Sequence, residues 1–474
     1  MNVILYFILV ILAVILARTL MFKPINRQKE DVEEIQFDKD AAINALGELV
    51  KCKTVSRYNT DEEDNAEFEK LIGKLPVLYP NVFEKCTLTK FPDRGLLFKW
   101  AGKEEGPSAV LMAHYDVVPV DEENWSKPAF EAIIEDGYMW GRGTLDTKSS
   151  FNGIMSAANT LIGQGFQPKN DIYFAFSGGE EVNGNGAVNI VNYFRENNVE
   201  LSMVLDEGGA VVDNVFPGVS QRCGLVGIAE KGMMNLTYSI NSDGGHASAP
   251  SAHTPVGRLA LACSKLEAHP FKAHFTKPVN EMFDTLGRYS NFLYRLIFAN
   301  LWLFKPILDS ISKKSGGEIN AMIRTTVAFT QMEGSDAPNV IPPSASMVSN
   351  IRLNPEDSIA SAIDYIKKTI NDDDIKLEVT SSMEPSPISS TDCEGWERIK
   401  DAVEATWKCI VSPYLMVQCS DSRHYSEISD RVYKFSAMDL TAEERHSIHG
   451  NNEKIRLETI CSAVEFFIRL MKSC

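Results

Sequence analysis

The chain has 474 residues, of which 44% are hydrophobic and 23% are charged, and its formal net charge is −17. This length favours two domains, and the excess of acidic residues argues against a nucleic-acid partner, because phosphate binding needs basic patches. The nine cysteines include no Cys-x-x-Cys pair, so their spacing is not that of a disulfide scaffold.

Residues 1–22 form an apolar segment that is long enough to cross a bilayer. Only Arg18 carries a charge in it, and roughly 20 apolar residues suffice for a membrane span. No basic residue precedes the segment, and Ile15-Leu-Ala17 is a poor Ala-x-Ala cleavage site. We therefore predict an uncleaved single anchor in preference to a cleaved signal peptide, which would give a secreted form. The basic residues from 18 to 29 favour a cytoplasmic chain, but two glycosylation sequons leave the side of the membrane open.

After the anchor, residues 23–38 are predicted to be a charged linker, and residues 41–49 a first amphipathic helix. Alternating strands and helices follow to about residue 230, the pattern of an α/β domain with a mostly parallel sheet flanked by helices. We predict that this catalytic domain comprises residues 39–230 and 385–474, with a closing helix over 454–472.

Residues 231–384 have a different pattern, which is typical of a smaller α+β domain inserted into the first. The predicted elements are strands at 233–240, 321–331 and 346–353 and helices at 255–268 and 357–370. Within this range, Phe292–Leu308 is strongly apolar but too short and too polar for a second membrane span. We interpret it as a packed helical insertion in the smaller domain. The alternative is an apolar lid over a substrate.

Three apolar runs end in histidine or acidic residues. Leu111–Ala113 leads into His114 and Asp116, residues 171–176 lead into Glu180-Glu181, and residues 201–205 lead into Asp206. Short apolar runs of this kind are typical of buried parallel strands, and α/β sheets place their chemistry beyond the carboxyl ends of such strands. Three strands that each deliver a histidine or carboxylate predict a metal site and therefore an enzyme.

Two further motifs add ligands of the same type. Asp146 lies on a glycine-rich turn, where its two oxygens could bridge two cations, and His449 lies in a turn before the last helix. In the adjacent pair Glu180-Glu181, one acid could bind metal while the other acts as general base. Nitrogen and oxygen ligands without thiolate suit a pair of zinc or cobalt ions that retain water.

These motifs resemble the M20 family of dinuclear zinc amidohydrolases, from about residue 40 to the C-terminus. The segments that carry the resemblance are His114-Tyr-Asp-Val-Val-Pro, Trp140-Gly-Arg-Gly-Thr-Leu-Asp-Thr-Lys, Ser177-Gly-Gly-Glu-Glu, Asp206-Glu-Gly-Gly and Ile448-His-Gly. Within the family, the chain is most similar to the branch of carboxypeptidase S, a Gly-X carboxypeptidase, and the N-fatty-acyl-amino-acid synthase/hydrolase. The segments typical of this branch are Trp302-Leu-Phe, Ile323-Arg-Thr-Thr, Asn339-Val-Ile-Pro-Pro and Ser420-Asp-Ser-Arg-His-Tyr.

The resemblance implies a metal site with two Zn²⁺ ions, for which Co²⁺ or Mn²⁺ could substitute. Asp146 would bridge both ions, His114 and Asp206 would complete one site, and Glu181 and His449 would complete the other.

The resemblance also implies catalytic and substrate-binding roles. Glu180 would be the general base that activates water, and His246 would help stabilise the oxyanion. The substrate carboxylate would be bound by Asn339, Arg352, Arg423 and His424. Apart from the resemblance, the spacing of His114 and Asp116 at a strand end indicates that Asp116 orients His114.

The predicted activity is metal-dependent hydrolysis of an amide or peptide bond next to a free carboxylate, as in Gly-X peptides. The alternative is a hydrolase or synthase of long-chain N-acyl amino acids. A catalytically inactive metal-binding interaction protein is less favoured because such a protein would have lost Glu180 or a ligand. A cytosolic aminoacylase fits the apolar N-terminus poorly. The resemblance further allows a homodimer formed through the inserted lid domain.

Overall fold

The computed structural model describes residues 2–25, 33–214 and 218–474. The central part of the predicted linker, residues 26–32, lies outside the described residues. The helices are α1 (Asn2–Met21), α2 (Lys39–Val50), α3 (Asn65–Leu78), α4 (Pro80–Lys85), α5 (Lys148–Gly163), α6 (Gly186–Glu196), α7 (Pro255–Ala268), α8 (Lys277–Tyr289), α9 (Phe292–Ala299), α10 (Leu301–Ser315), α11 (Gly317–Ile323), α12 (Ile359–Ile370), α13 (Glu394–Trp407), α14 (Ala442–Ser447) and α15 (Leu457–Lys472).

The strands form one large mixed sheet and three smaller sheets. They are β1 (Thr87–Phe91), β2 (Gly95–Trp100), β3 (Ser108–His114), β4 (Ile133–Glu135), β5 (Tyr138–Trp140), β6 (Ile172–Ser177), β7 (Leu201–Val212), β8 (Cys223–Glu230), β9 (Gly232–Asn241), β10 (Gly245–His246), β11 (Thr326–Glu333), β12 (Val340–Ile341), β13 (Ser344–Leu353), β14 (Lys376–Met383), β15 (Ile410–Met416), β16 (Val432–Leu440) and β17 (Lys454–Arg456).

The large sheet has the strand order β1-β2-β6-β3-β7-β16-β8-β15. Its central strands β6, β3, β7 and β16 run parallel. Every residue of β3 and β6 is buried, which explains why these strands are continuously apolar in sequence. Helices α5, α13 and α15 pack on one face and α6 on the other. The predicted α/β class is confirmed.

A second, antiparallel sheet has the order β11-β13-β9-β14. Helices α7 and α12 bury their apolar sides against it, and the alternating burial of β9 and β13 shows that only one sheet face is covered. This sheet lies within the range predicted for the inserted domain, whose boundaries stay a prediction. The predicted helices and strands agree closely with the observed ones, with two exceptions at the ends of elements.

The first exception is the predicted strand at 321–331, whose first three residues belong to α11. The second is the predicted closing helix at 454–472, because Lys454–Arg456 instead form β17, which pairs with β5. In both places the apolar pattern runs across a boundary between two elements. A hydrophobic pattern alone does not show where the backbone conformation changes from one element to the next.

The apolar insertion packs differently from the prediction. Helices α8 to α11 contribute to a core formed with the edge strand β15 and its neighbour β8, and not to the core of the four-stranded sheet. On α8 the buried residues Val279, Met282, Phe283 and Leu286 form one helical face. The insertion therefore covers an edge of the large sheet that would otherwise expose unpaired backbone groups.

Candidate metal centre

The candidate site lies where three adjacent strands of the large sheet deliver polar residues. His114 ends β3, and β6 leads through Ser177 into a short 3₁₀ helix at Glu180–Val182. Strand β7, on the other side of β3, carries Asp206 and Glu207. Because the carboxyl ends of parallel strands lie side by side, these segments converge at one edge of the sheet.

Asp146 is the centre of the cluster. Its Oδ1 lies 3.0 Å from His114 Nε2, and its Oδ2 lies 3.0 Å from His449 Nε2. His449 Nε2 is also 3.1 Å from Glu181 Oε2, and His114 Nε2 is 3.5 Å from Glu207 Oε1. The result is two groups of three side chains that share Asp146 and could each hold a metal ion, with the nitrogen and oxygen atoms of each group within 4.8 Å of one another.

The structure does not place Asp206 in this cluster. Successive side chains of a strand point to opposite sides, so only one residue of the pair Asp206-Glu207 can reach the site. Glu207 does so, whereas the Asp206 carboxylate is buried and accepts a hydrogen bond from the backbone N–H of Ser422 at 2.9 Å. Glu207 is the acidic residue of the cluster that the sequence interpretation did not name, although the adjacent acids were visible in the motif.

Asp116 connects His114 to the 3₁₀ helix. His114 Nδ1 lies 3.0 Å from the backbone oxygen of Asp116 and 3.4 Å from its Oδ1. The Asp116 carboxylate also accepts hydrogen bonds from the Ser56 hydroxyl at 2.7 Å and from the backbone N–H groups of Glu180 and Glu181 at 3.2 Å. Asp116 can therefore orient the imidazole and fix the position of both neighbouring acids, as expected of a residue that supports a metal ligand.

Glu180 lies beside the cluster without belonging to either group of ligands. Burial raises the pKa of Glu180 well above its usual range, and the negative charges of Glu207 and Asp421 act in the same direction. A carboxylate with a raised pKa accepts a proton more readily than an ordinary one. That property suits a general base.

A buried ion pair holds the turn that carries Asp146, and sequence reasoning missed it. Glu453 Oε2 accepts a hydrogen bond from Arg142 Nη1 at 2.6 Å, and its Oε1 accepts from the backbone N–H of Leu145 at 2.7 Å. Arg142 also donates to the carbonyl of Gly450 at 2.8 Å. This pair joins the Asp146 turn to the His449 loop. The one available signal was that Glu453 follows His449 by four residues in the same motif.

The buried carboxylates of the site would be stabilised by bound cations. Burial first, and then repulsion by Asp146, raise the pKa of Glu207 to about 8. Glu181 Oε1 is buried and has no hydrogen-bond partner among the described residues. A buried carboxylate oxygen without a partner is costly unless a cation binds it. The two ligand groups contain imidazole and carboxylate but no cysteine, so the residues present fit a pair of divalent ions of the zinc type.

Two of the predicted substrate-binding residues, Arg423 and His424, lie in a 3₁₀ helix at Asp421–Glu427. Arg423 Nη2 donates to Asn183 Oδ1 at 2.9 Å, directly after the 3₁₀ helix that carries Glu180. Burial and the neighbouring Arg423 lower the pKa of His424 to about 4, so its ring is neutral near pH 7. Arg423 is therefore the cation of this pair.

His246 and the other two predicted substrate-binding residues, Asn339 and Arg352, lie within residues 232–383. His246 is exposed on β10, which pairs with β12, and its Nδ1 lies 2.7 Å from the Ser248 hydroxyl. The carbonyl of Asn339 accepts from the backbone N–H of Ala247 at 3.0 Å, and Arg352 lies on β13. Among the described residues, no hydrogen bond or ion pair joins His246 or Asn339 to the metal ligands. Their roles stay predictions.

A largely parallel α/β sheet with two overlapping histidine–carboxylate groups at its carboxyl edge is the arrangement expected of a metal-dependent enzyme. The sequence profile of peptidase family M20/M25/M40 matches residues 110–473. The chain belongs to this family, as its motifs predicted.

Curated relatives support the same assignment. The chain is 35% identical over 437 residues to the probable carboxypeptidase S-like 2 of Dictyostelium discoideum, with 90% of this chain and 84% of that protein covered. It is 34% identical over 478 residues to the N-fatty-acyl-amino acid synthase/hydrolase PM20D1 of Xenopus tropicalis, with 98% and 93% covered. These matches confirm the predicted branch.

A solved structure confirms the fold. The M20 family metallo-carboxypeptidase of Sulfolobus solfataricus superposes with a TM-score of 0.67 at 16% sequence identity, with 91% of this chain and 98% of that chain covered.

Proposed function

We propose that the chain hydrolyses an amide bond next to a free carboxylate in a small substrate, with two zinc ions held by its ligand groups. The observation that carries the proposal is that Asp146 lies between His114 and His449, with Glu180 beside the cluster. We propose Glu207 as the fifth ligand in place of Asp206, because its carboxylate is the one that reaches His114.

The chemistry follows from the positions of these side chains. When bound, two divalent cations supply positive charge that polarises a carbonyl and makes water more acidic. Glu180 takes the proton from the attacking water at its carboxylate and passes it to the nitrogen of the leaving amine. Asp116 keeps His114 and the backbone of Glu180 in position through its hydrogen bonds. His246 is proposed as the donor to the oxyanion.

We propose a peptide substrate, with a long-chain N-acyl amino acid as the second candidate. Both substrates place a carboxylate next to the scissile amide, and Arg423 is a cation close to the 3₁₀ helix of Glu180. The names of the two relatives represent both activities. The 34% identity to the N-fatty-acyl-amino acid synthase/hydrolase over 98% of this chain supports the second candidate.

We also propose that α1 is retained as a single membrane anchor. Residues 3–21 are long and apolar enough to cross a membrane, and most of their side chains are exposed. The end of α1 is packed against the folded chain, because Arg18 Nε donates to the carbonyl of Ala299 at 3.0 Å and Phe22 contacts the core around α8. These contacts make α1 part of the fold. Removal of α1 as a signal peptide would leave the groups that contact Arg18 and Phe22 exposed.

The experiment offers both substrates to the same enzyme. The full chain, purified in a mild detergent with zinc, receives a Gly-X dipeptide and a long-chain N-acyl amino acid in one reaction, and mass spectrometry follows the products. Selective loss of the dipeptide supports a carboxypeptidase, and selective cleavage of the acyl amide supports the second candidate. Glu180→Gln provides the background rate. A wild-type rate equal to that background on both substrates would contradict the proposal.

A further inference from the structure

Helices α9 and α10 expose an unusual number of large apolar side chains. The apolar face, as we call it, consists of Phe292, Leu293, Trp302, Leu303, Ile307 and Ile311. Leu303, Ile307 and Ile311 follow one another at intervals of four residues, so they form a stripe along α10. The opposite side of α10 packs through Leu301 and Leu308 on the core around α8. Helix α10 is therefore apolar on both sides, which is not typical of a helix on a water-exposed surface.

The apolar face begins at the end of the proposed membrane span. Asn300, between α9 and α10, donates through Nδ2 to the Thr19 hydroxyl at 3.2 Å and to the carbonyl of Ile15 at 3.3 Å. Arg18 donates to the neighbouring Ala299 carbonyl. At 1.5 Å per residue, the stretch from Ile15 to Met21 covers only about 9 Å of helix. The junction of α9 and α10 is thus fixed to the last turns of α1, near the depth at which Arg18 and Lys23 would meet the headgroups.

Contacts beyond the span hold this arrangement. The Arg288 guanidinium on α8 stacks over the Phe22 ring at 4.6 Å, and its Nη1 donates to the carbonyl of Lys23 at 3.2 Å. Phe22 and Leu301 also belong to the same packed cluster. The helix that would cross the bilayer and the helices that carry the apolar face are therefore joined by side-chain contacts as well as by the chain.

We propose that the apolar face lies in the interface of the bilayer that α1 crosses, with lipid as its occupant. Trp302 would lie at the boundary of headgroups and acyl chains, where tryptophan is enriched, and the stripe on α10 would contact the outer part of the acyl chains. The proposal rests on the anchor proposed above. The chain is then held to the membrane at two places, which fixes the orientation of its catalytic sheet.

Trp302 makes the proposal measurable. Its side chain is 55% exposed, whereas Trp100, Trp125, Trp396 and Trp407 are buried. The full chain is placed in phosphatidylcholine nanodiscs whose acyl chains carry bromine near the ester end, which quenches only nearby tryptophans. The signal of interest is the emission of the wild type minus that of Trp302→Phe. We expect bromolipid to remove most of this difference and aqueous iodide to have little effect on it.

Two variants serve as a matched pair. The first is Ile307→Asp on the apolar face, where the native side chain is 51% exposed. The second is Leu261→Asp on α7, where the native side chain is 52% exposed. We expect Ile307→Asp to reduce the quenching of Trp302 by bromolipid several-fold, while Leu261→Asp leaves it unchanged. Because both positions are exposed, both variants should hydrolyse the preferred substrate at the wild-type rate in detergent, which shows that they fold.

The possible outcomes test the membrane anchor and the apolar face separately. A chain that leaves the nanodiscs in high salt would overturn both proposals. A chain that stays while Trp302 is quenched by iodide and not by bromolipid would overturn the face and retain the anchor. If neither bromolipid nor iodide quenched Trp302, and each nanodisc held two chains, lipid would not be the occupant. The apolar face would then be a contact between two copies of the chain.

Discussion

The buried pair of Glu453 and Arg142 should be essential for the turn that carries Asp146. The Glu453 side chain is 0% exposed. Besides Arg142 and Leu145, it accepts from the backbone N–H groups of Gly143 at 3.2 Å and Asp146 at 3.3 Å. Burial raises the pKa of Glu453, but the Arg142 guanidinium and these N–H donors favour the charged form. Glu453→Gln would remove the charge and turn an amide NH₂ group toward some of the donors.

The cost can be derived from these contacts. Removing one partner of a buried ion pair typically costs about 3–5 kcal/mol, because the remaining charge is left without a counterion. Arg142 would keep its hydrogen bond to the Gly450 carbonyl and its position over the Trp125 ring. We therefore expect the lower end of this range, a decrease of about 3 kcal/mol in the free energy of unfolding. With an m value of about 3 kcal/mol/M, the urea midpoint would fall by about 1 M.

The assay is urea unfolding of the full chain in mild detergent, followed by circular dichroism. Glu443→Gln is the matched control, since Glu443 pairs with Lys454 on the surface with an 80% exposed side chain. Such an exposed pair contributes at most about 1 kcal/mol. Because Glu453 positions Asp146, its variant should also bind zinc about 10–100-fold more weakly. If Glu453→Gln and Glu443→Gln had the same midpoint and zinc affinity, the reasoning about the turn would be refuted.

Three further predictions concern neighbouring parts of the structure. Glu207→Ala should lose one of two zinc ions, measured by elemental analysis, whereas Asp206→Ala should keep both, because only Glu207 reaches the cluster. Asp116→Asn should weaken zinc binding about 10–100-fold in a competition titration, since Asp116 orients His114. Burial lowers the pKa of Lys231 to about 7. Between about pH 7 and 10, Lys231 is therefore mostly protonated in the unfolded chain and mostly neutral in the folded chain. Because the unfolded chain binds more protons in this range, the free energy of unfolding should rise with pH by at most about 1.4 kcal/mol per pH unit, relative to Lys231→Met.

A specific result would contradict each of these three predictions. Loss of zinc from Asp206→Ala but not from Glu207→Ala would restore the ligand set predicted from sequence. Unchanged zinc affinity in Asp116→Asn would mean that the backbone oxygen alone orients His114. Parallel pH profiles of unfolding for the wild type and Lys231→Met would mean that Lys231 remains protonated in the folded chain.

The sequence indicated the positions of the ligands but not every side-chain direction. His114, Asp146 and Glu181 could be recognised because each follows a strand or a glycine-rich turn in a long motif. The choice between Asp206 and Glu207 could not be made from the motif. It depends on which face of β7 points toward Asp146, and the phase of a strand is set by its pairing with neighbouring strands.

The fold shows the same limit at a larger scale. The apolar pattern of Phe292–Leu308 correctly indicated packed helices, but it did not identify the surface that they cover. An amphipathic pattern shows that one face is buried and gives no information about its partner. Here the partner is the edge of the large sheet, formed by β15, which begins about 100 residues after the end of the insertion.

The central claim is that Glu180 transfers the proton while other residues hold the metal ions. The most direct measurement is therefore the kcat of Glu180→Gln on the preferred substrate, with the zinc content of the same sample. The account predicts two zinc ions per chain and a kcat reduced by about 10²–10⁴-fold, the usual contribution of a general acid–base group. A reduction of less than about tenfold, with both zinc ions bound, would contradict it.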